Sequence, residues 1–273
     1  MMADANTPPM PSYKNPPVIE VACGCRFQPL KHLKLPHVGL LWEKFRKEFP
    51  TVEHALPIGD EVTQLPPMDD ATGLPWPRVW FINESESRLI QFQPNRVHFN
   101  WRRRERDPLY PRYPEIIDSF EKSFTVIQEF LNEMNLGVID PVQYELTYIN
   151  HIMQGAGWNM IEDLPNVFRD FHWLEDAGRF LPKPTNVAWQ TRFTLPNNMG
   201  RLSAKLNQAA TIPDSIPLLS LELLARGIGV EKTRAGMRSW FDVAHEWIVK
   251  GFADLTTRDI QTKIWKREDA AAS

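Results

Sequence analysis

Apolar and polar positions recur along this chain with two distinct periods, and those periods define most of its elements. In residues 18–27 (VIEVACGCRF), Ile19, Val21, Cys23, Cys25 and Phe27 share one side while Glu20 and Arg26 share the other, the pattern of a half-buried strand. Val38, Leu41, Trp42, Phe45 and Phe49 then return at helical spacing, and Pro50 stops that helix. Residues 51–77 hold five prolines and several acids and read mostly as loop, long enough for a lid or a binding edge. Residues 78–83, 89–93 and 97–102 read as three strands, with Pro94-Asn95 turning between the last two. The charged run RRRERD at 102–107 leaves the sheet. From Tyr113 a long helix carries the stripe Ile116, Phe120, Phe124, Ile127, Leu131 and Met134, and Gly137 ends it.

The second half repeats this order. Residues 142–150 (VQYELTYIN) predict a strand, and Asp163-Leu164-Pro165 opens a helix carrying Leu164, Val167, Phe168 and Phe171 toward Gly178. Residues 187–195, 201–209 and 218–226 predict three strands, the first two joined around 197–200. A last long helix bears Met237, Phe241, Ala244, Ile248 and Phe252, and a short one bears Ile260 and Ile264. The expected fold is α+β, with antiparallel sheets covered by long helices. Residues 1–17 are expected to form a flexible Pro-rich arm, and an N-terminal half (18–137) and a C-terminal half (138–273) to share one core. Element order alone suggests an internal duplication, because the halves match poorly residue by residue. A cleft between halves is the expected place for a ligand.

Composition narrows the classes. With 42% hydrophobic and 24% charged residues the chain is globular. Its 31 basic and 34 acidic side chains leave a net charge of −3, which argues against a nucleic-acid coat or a polybasic membrane protein. No 18-residue apolar run and no apolar leader occur, so a cytoplasmic location is expected, with no membrane partner. Cys23 and Cys25, two apart in a strand, sit roughly 7 Å from each other, too far for easy bridging. No further cysteine completes a zinc site, and the seven histidines show no ligating spacing, so neither metal nor cofactor is implied.

The chemistry concentrates in one strand. Val97, Phe99 and Trp101 face one way, and His98, Asn100 and Arg102 the other. Gln91 and Gln93 extend this polar face, and Glu145 on residues 142–150 needs a partner, for which Arg102 or Arg103 is expected. The candidate ligand-binding set is His98, Asn100, Arg102, Arg103, Glu145 and Asn150, with the arginines for a phosphate or carboxylate and His98 and Glu145 for proton transfer. The same groups also suit a structural ion-pair network, which is the favoured reading. Arg102, Arg103, Arg104, Arg106 and Arg112, with Tyr110, form a weaker candidate for nucleic-acid phosphates, interrupted by Glu105 and Asp107. No Gly-X-Ser-X-Gly elbow, phosphate-binding glycine loop or dinucleotide fingerprint is present, and no catalytic residue can be named.

Three segments together resemble a sporadically distributed, uncharacterised bacterial family of about this length. They are Asn15-Pro16-Pro17-Val18-Ile19-Glu20, then Leu89-Ile90-Gln91-Phe92-Gln93-Pro94 running into Asn100-Trp101-Arg102-Arg103, then Tyr144-Glu145-Leu146-Thr147-Tyr148-Ile149-Asn150. The resemblance implies a cytoplasmic protein of patchy distribution, a pattern associated with defence or toxin–antitoxin loci, and it implies no reaction. The expected function is therefore non-catalytic binding of a ligand or of a partner protein encoded nearby. An enzyme acting on an anionic or phosphorylated small molecule is the alternative, and nucleic-acid binding through 102–112 is weaker.

Overall fold

The computed structural model of the chain describes residues 10–59, 65–69, 72–172, 178 and 180–268. In chain order its elements are β1 (Ser12–Tyr13), β2 (Val18–Phe27), α1 (Leu35–Phe45), β3 (Thr51–Ala55), β4 (Arg78–Ile82), β5 (Arg88–Gln93), β6 (Arg96–Arg102), α2 (Arg112–Glu133) and β7 (Pro141–Met153). These are followed by α3 (Leu164–Val167), β8 (Ala188–Thr194), β9 (Gly200–Ala210), β10 (Pro217–Gly227), α4 (Arg234–Leu255), α5 (Arg258–Lys263) and β11 (Arg267–Glu268). Among the described residues nine strands belong to a large antiparallel sheet, and β1 pairs with β11 apart from it, so the fold is α+β.

Two compact units are drawn from interleaved segments rather than from the consecutive halves 18–137 and 138–273 that element order suggested. The first comprises residues 20–147 and 226–241. The second comprises the described residues of 10–19, 148–225 and 242–268.

In the first unit the strand order is β3-β4-β5-β6-β2, followed by the first half of β7. Register aligns Phe81, Ile90, Phe99 and Cys23 across four strands, with Val79, Phe92, Val97 and Cys25 in the next row. All eight are buried. Helix α2 packs on β6 and α1 on β4. The α2 stripe Ile116, Ile117, Phe120, Phe124, Ile127, Phe130 and Leu131 is buried with them, and Phe120 meets Phe241 at 5.2 Å between ring centroids. Each such ring, taken out of water, contributes about 1.5–3 kcal/mol. The opposite sheet face holds most of the polar residues, together with Trp80, Ile82 and Leu89.

In the second unit the order is β7-β10-β9-β8. Ala244, Ile248 and Phe252 of α4 are buried with Leu202, Leu206, Leu219 and Leu221. The N-terminal arm is docked from Ser12 onward rather than free. Tyr13 makes edge contacts with Phe252 at 5.6 Å and Trp265 at 6.2 Å, and the Asn15 amide donates to the Trp265 carbonyl. Residues 1–9 of the expected arm lie outside the described residues.

Three further expectations are corrected. Residues 51–55 are not loop but the edge strand β3, paired with β4, which its exposed and non-alternating side chains conceal. The helix expected to run from Leu164 through Phe171 ends at Val167, where Phe168 turns to extended backbone and bridges to Thr256. Phe49 lies beyond the end of α1 and is held there by a hydrogen bond from the Trp42 indole to its carbonyl.

Candidate functional site

The polar face of the first unit's sheet is built row by row from strand register. Glu53, Trp80, Gln91, His98 and Gly24 stand opposite one another across β3, β4, β5, β6 and β2. One row on, Leu89, Asn100 and Ala22 align, and beyond them Arg102 faces Glu20. In the other direction Gln93, Arg96 and Arg26 align.

His98 and Glu145 form the buried centre. His98 Nε2 lies 3.3 Å from Glu145 Oε2, and Arg226 Nε lies 3.4 Å from Glu145 Oε1. Burial alone raises the Glu145 carboxyl. The His98 hydrogen bond and charge, with Arg226 and Arg96, outweigh that and hold it at about 2. The imidazole lies against Gly24, where a Cβ would come within 2.2 Å of His98 Cδ2. Glycine at 24 is thus what lets the ring seat between strands.

Beside this centre runs a directed chain of hydrogen bonds. Arg78 Nη1 donates to Gln91 Oε1 (3.0 Å), Gln91 Nε2 to Asn100 Oδ1 (2.7 Å), and Asn100 Nδ2 to Glu20 Oε1 (2.5 Å). Burial raises the Glu20 carboxyl, and the Asn100 bond and the Arg102, Arg104 and Arg78 charges only partly offset this. The Arg78 and Arg102 guanidinium carbons lie 5.3 and 5.6 Å from the centre of the Trp80 ring, within cation–π range. Burial draws both guanidinium groups below their ordinary value. The segment after β3 straps the edge of the face. Ile58 and Gln93 exchange two hydrogen bonds, and Arg96 Nη2 donates to the Gly59 carbonyl at 3.2 Å. Residues 60–64 and 70–71 of the expected 51–77 loop lie outside the described residues.

Of the sequence candidates, His98, Asn100, Arg102 and Glu145 come together on this face. Arg102 or Arg103 was expected to hold Glu145; His98 and Arg226 do so instead, and Arg102 faces Glu20. Arg103 is exposed past the end of β6. Asn150 belongs to the second unit, where its amide donates to the Leu221 carbonyl (3.2 Å), a structural role. The 102–112 run leaves the sheet as a turn before α2. Arg104 and Asp107 close a tight turn by paired backbone bonds, Arg106 is exposed, and Arg112 lies over the Tyr110 ring at 5.5 Å.

The sequence reading missed Glu20, Arg78, Trp80, Arg96 and Arg226. Alternation within 78–82 and 18–27 places the first three on the polar side. Arg226 joins only through strand pairing that no local pattern encodes. Among the described residues no group of three or more His, Cys, Asp and Glu could hold a metal ion, and no helix is long and apolar enough to cross a membrane. No family model matches the chain, and no curated protein matches it.

Proposed function

We propose that this is a non-catalytic binding protein that takes an anionic ligand on the polar sheet face of its first unit. The observation that carries the reading is the pair of half-buried guanidinium groups Arg78 and Arg102, both held within cation–π range of the Trp80 ring. Partly desolvated guanidinium groups favour carboxylate or phosphate groups, which the planar fork can meet with two hydrogen bonds. The resemblance to a patchily distributed bacterial family supports a setting in a defence or toxin-neutralising system.

Thermal-shift and calorimetric titration of the full chain with pyrophosphate and with citrate tests this. We expect saturable binding that Arg78→Ala and Arg102→Ala each weaken about tenfold or more while leaving the unliganded fold intact. Binding of neither anion, or equal binding by both variants, overturns it.

A catalytic reading has the 3.3 Å His98–Glu145 contact in its favour. Against it, the imidazole is buried and pressed on Gly24, and one of its nitrogens is spent on Glu145. Turnover of an anionic substrate that is lost in His98→Gln at unchanged melting temperature would support that alternative instead.

A further inference from the structure

The second unit carries a cavity of about 460 Å³ beside α4, within the size range of small-molecule sites. Its wall is apolar and aromatic: Trp247 of α4 and Phe193 of β8 line it, and Phe193 is 42% exposed although it is a large apolar ring. Trp247, Gly251 and Asp254 stand four and three residues apart, so they share one face of the helix. Gly251 packs close to β9: a Cβ there would lie 3.3 Å from Leu202 Cδ2, and both residues line the cavity.

The charges at the mouth are one-sided. Lys250 is bound to Glu246 and neutralised by it. Asp170 and Asp254 also line the cavity, and among the described residues neither has a hydrogen bond or an ion pair. Two uncompensated carboxylates beside two aromatic rings repel anions and give an inorganic cation no reason to leave water for an apolar wall. They suit a cation that carries its own apolar body, held by the ring faces and the carboxylates together.

We infer that this cavity is a binding site for a small organic cation, an amine or quaternary ammonium. It is independent of the anion-binding face in the first unit and rests on none of the same residues.

Choline and its uncharged isostere 3,3-dimethylbutan-1-ol are the probes, followed on the full chain by the Trp247 indole N–H resonance, which is assigned with Trp247→Phe. Choline is expected to shift that resonance saturably. The isostere binds about tenfold more weakly or worse, and Asp170→Asn/Asp254→Asn weakens choline by about tenfold. Both aspartates are exposed, so the double variant keeps its melting temperature, and Phe193→Ala provides a second, uncharged disruption of the same site that retains the Trp247 reporter. No shift with choline, equal binding of the isostere, or undiminished binding by both variants overturns the proposal.

Discussion

His98 Nε2 lies 3.3 Å from Glu145 Oε2 across 47 residues of chain, and Arg226 reaches the other carboxylate oxygen at 3.4 Å. Desolvating these groups is costly, and their mutual contacts offset the cost only while all are present. Glu145→Ala strands the imidazole and the guanidinium, and about 3–5 kcal/mol of stability is expected to be lost. Glu145→Gln keeps a hydrogen-bonding oxygen and is expected to cost about 1–3 kcal/mol. Urea unfolding at neutral pH measures both. An Ala variant within about 1 kcal/mol of the parent contradicts a clamp of this kind.

The same carboxylate gives the protein an acid limit. Glu145 is held at about 2, below its ordinary 4.5. A depressed folded value means that the unfolded chain takes up the proton first. The Glu145 contribution is therefore fully present above about 4.5 and lost as pH falls toward 2. The stability difference between the parent and Glu145→Gln should shrink through that window in denaturant titrations run at successive pH values. A difference that stays constant across it is inconsistent with the assignment.

His245 sets a separate window at higher pH. Burial lowers its imidazole from 6.5 to about 4, against the opposing pull of Asp242 and Glu246, and its Nδ1 lies 3.0 Å from the Tyr148 hydroxyl. A ring buried in its neutral form costs nothing above 6.5. As pH falls from 6.5 to 4 the unfolded state gains a proton that the folded state refuses, and up to about 3 kcal/mol is lost. His245→Gln should flatten this step and leave the lower, Glu145-linked step in place. Two steps responding to two different substitutions is the signature to look for.

Gly24 is expected to tolerate no side chain. A Cβ at 24 would sit 2.2 Å from His98 Cδ2, so Gly24→Ala must drive the imidazole off Glu145 or bend β2. A loss of about 1–3 kcal/mol is expected, as for other forced overpacking. If the clash with His98 is the cause, His98→Ala and Gly24→Ala together should cost less than their sum. Strict additivity would point to backbone strain instead.

The elements read best from sequence were those whose two faces differ most. Residues 18–27 put Val21, Cys23, Cys25 and Phe27 on one side, and β2 has those bounds; the α2 stripe from Ile116 to Leu131 is buried throughout. Strand β3 escaped because an edge strand need bury nothing, and Thr51, Val52, Glu53 and His54 are all exposed. The polar character of the face holding His98, Asn100 and Glu145 was legible from alternation. The choice of partner was not, since Glu145 meets Arg226, 81 positions away in the numbering, through pairing that only the assembled sheet specifies. Arg102 was placed on the right face with the wrong carboxylate, because register decides whether it faces Glu20 or Glu145.

The two cysteines provide a last check on which face of β2 is the core. Cys23 pairs with Phe99 and Cys25 with Val97, all four side chains are buried, and burial pushes both thiols far above their ordinary value. Thiol–disulfide exchange proceeds through the thiolate, so both should be unreactive in the native protein at neutral pH. With Ellman's reagent, no release is expected until denaturant unfolds the first unit, and then two equivalents per chain. The labelling rate should follow the opening equilibrium, rising with destabilising substitutions such as Glu145→Ala. Rapid labelling of either thiol in the folded chain would place it on the solvent side, and with it would go the assignment of His98 and Asn100 to the opposite, polar face.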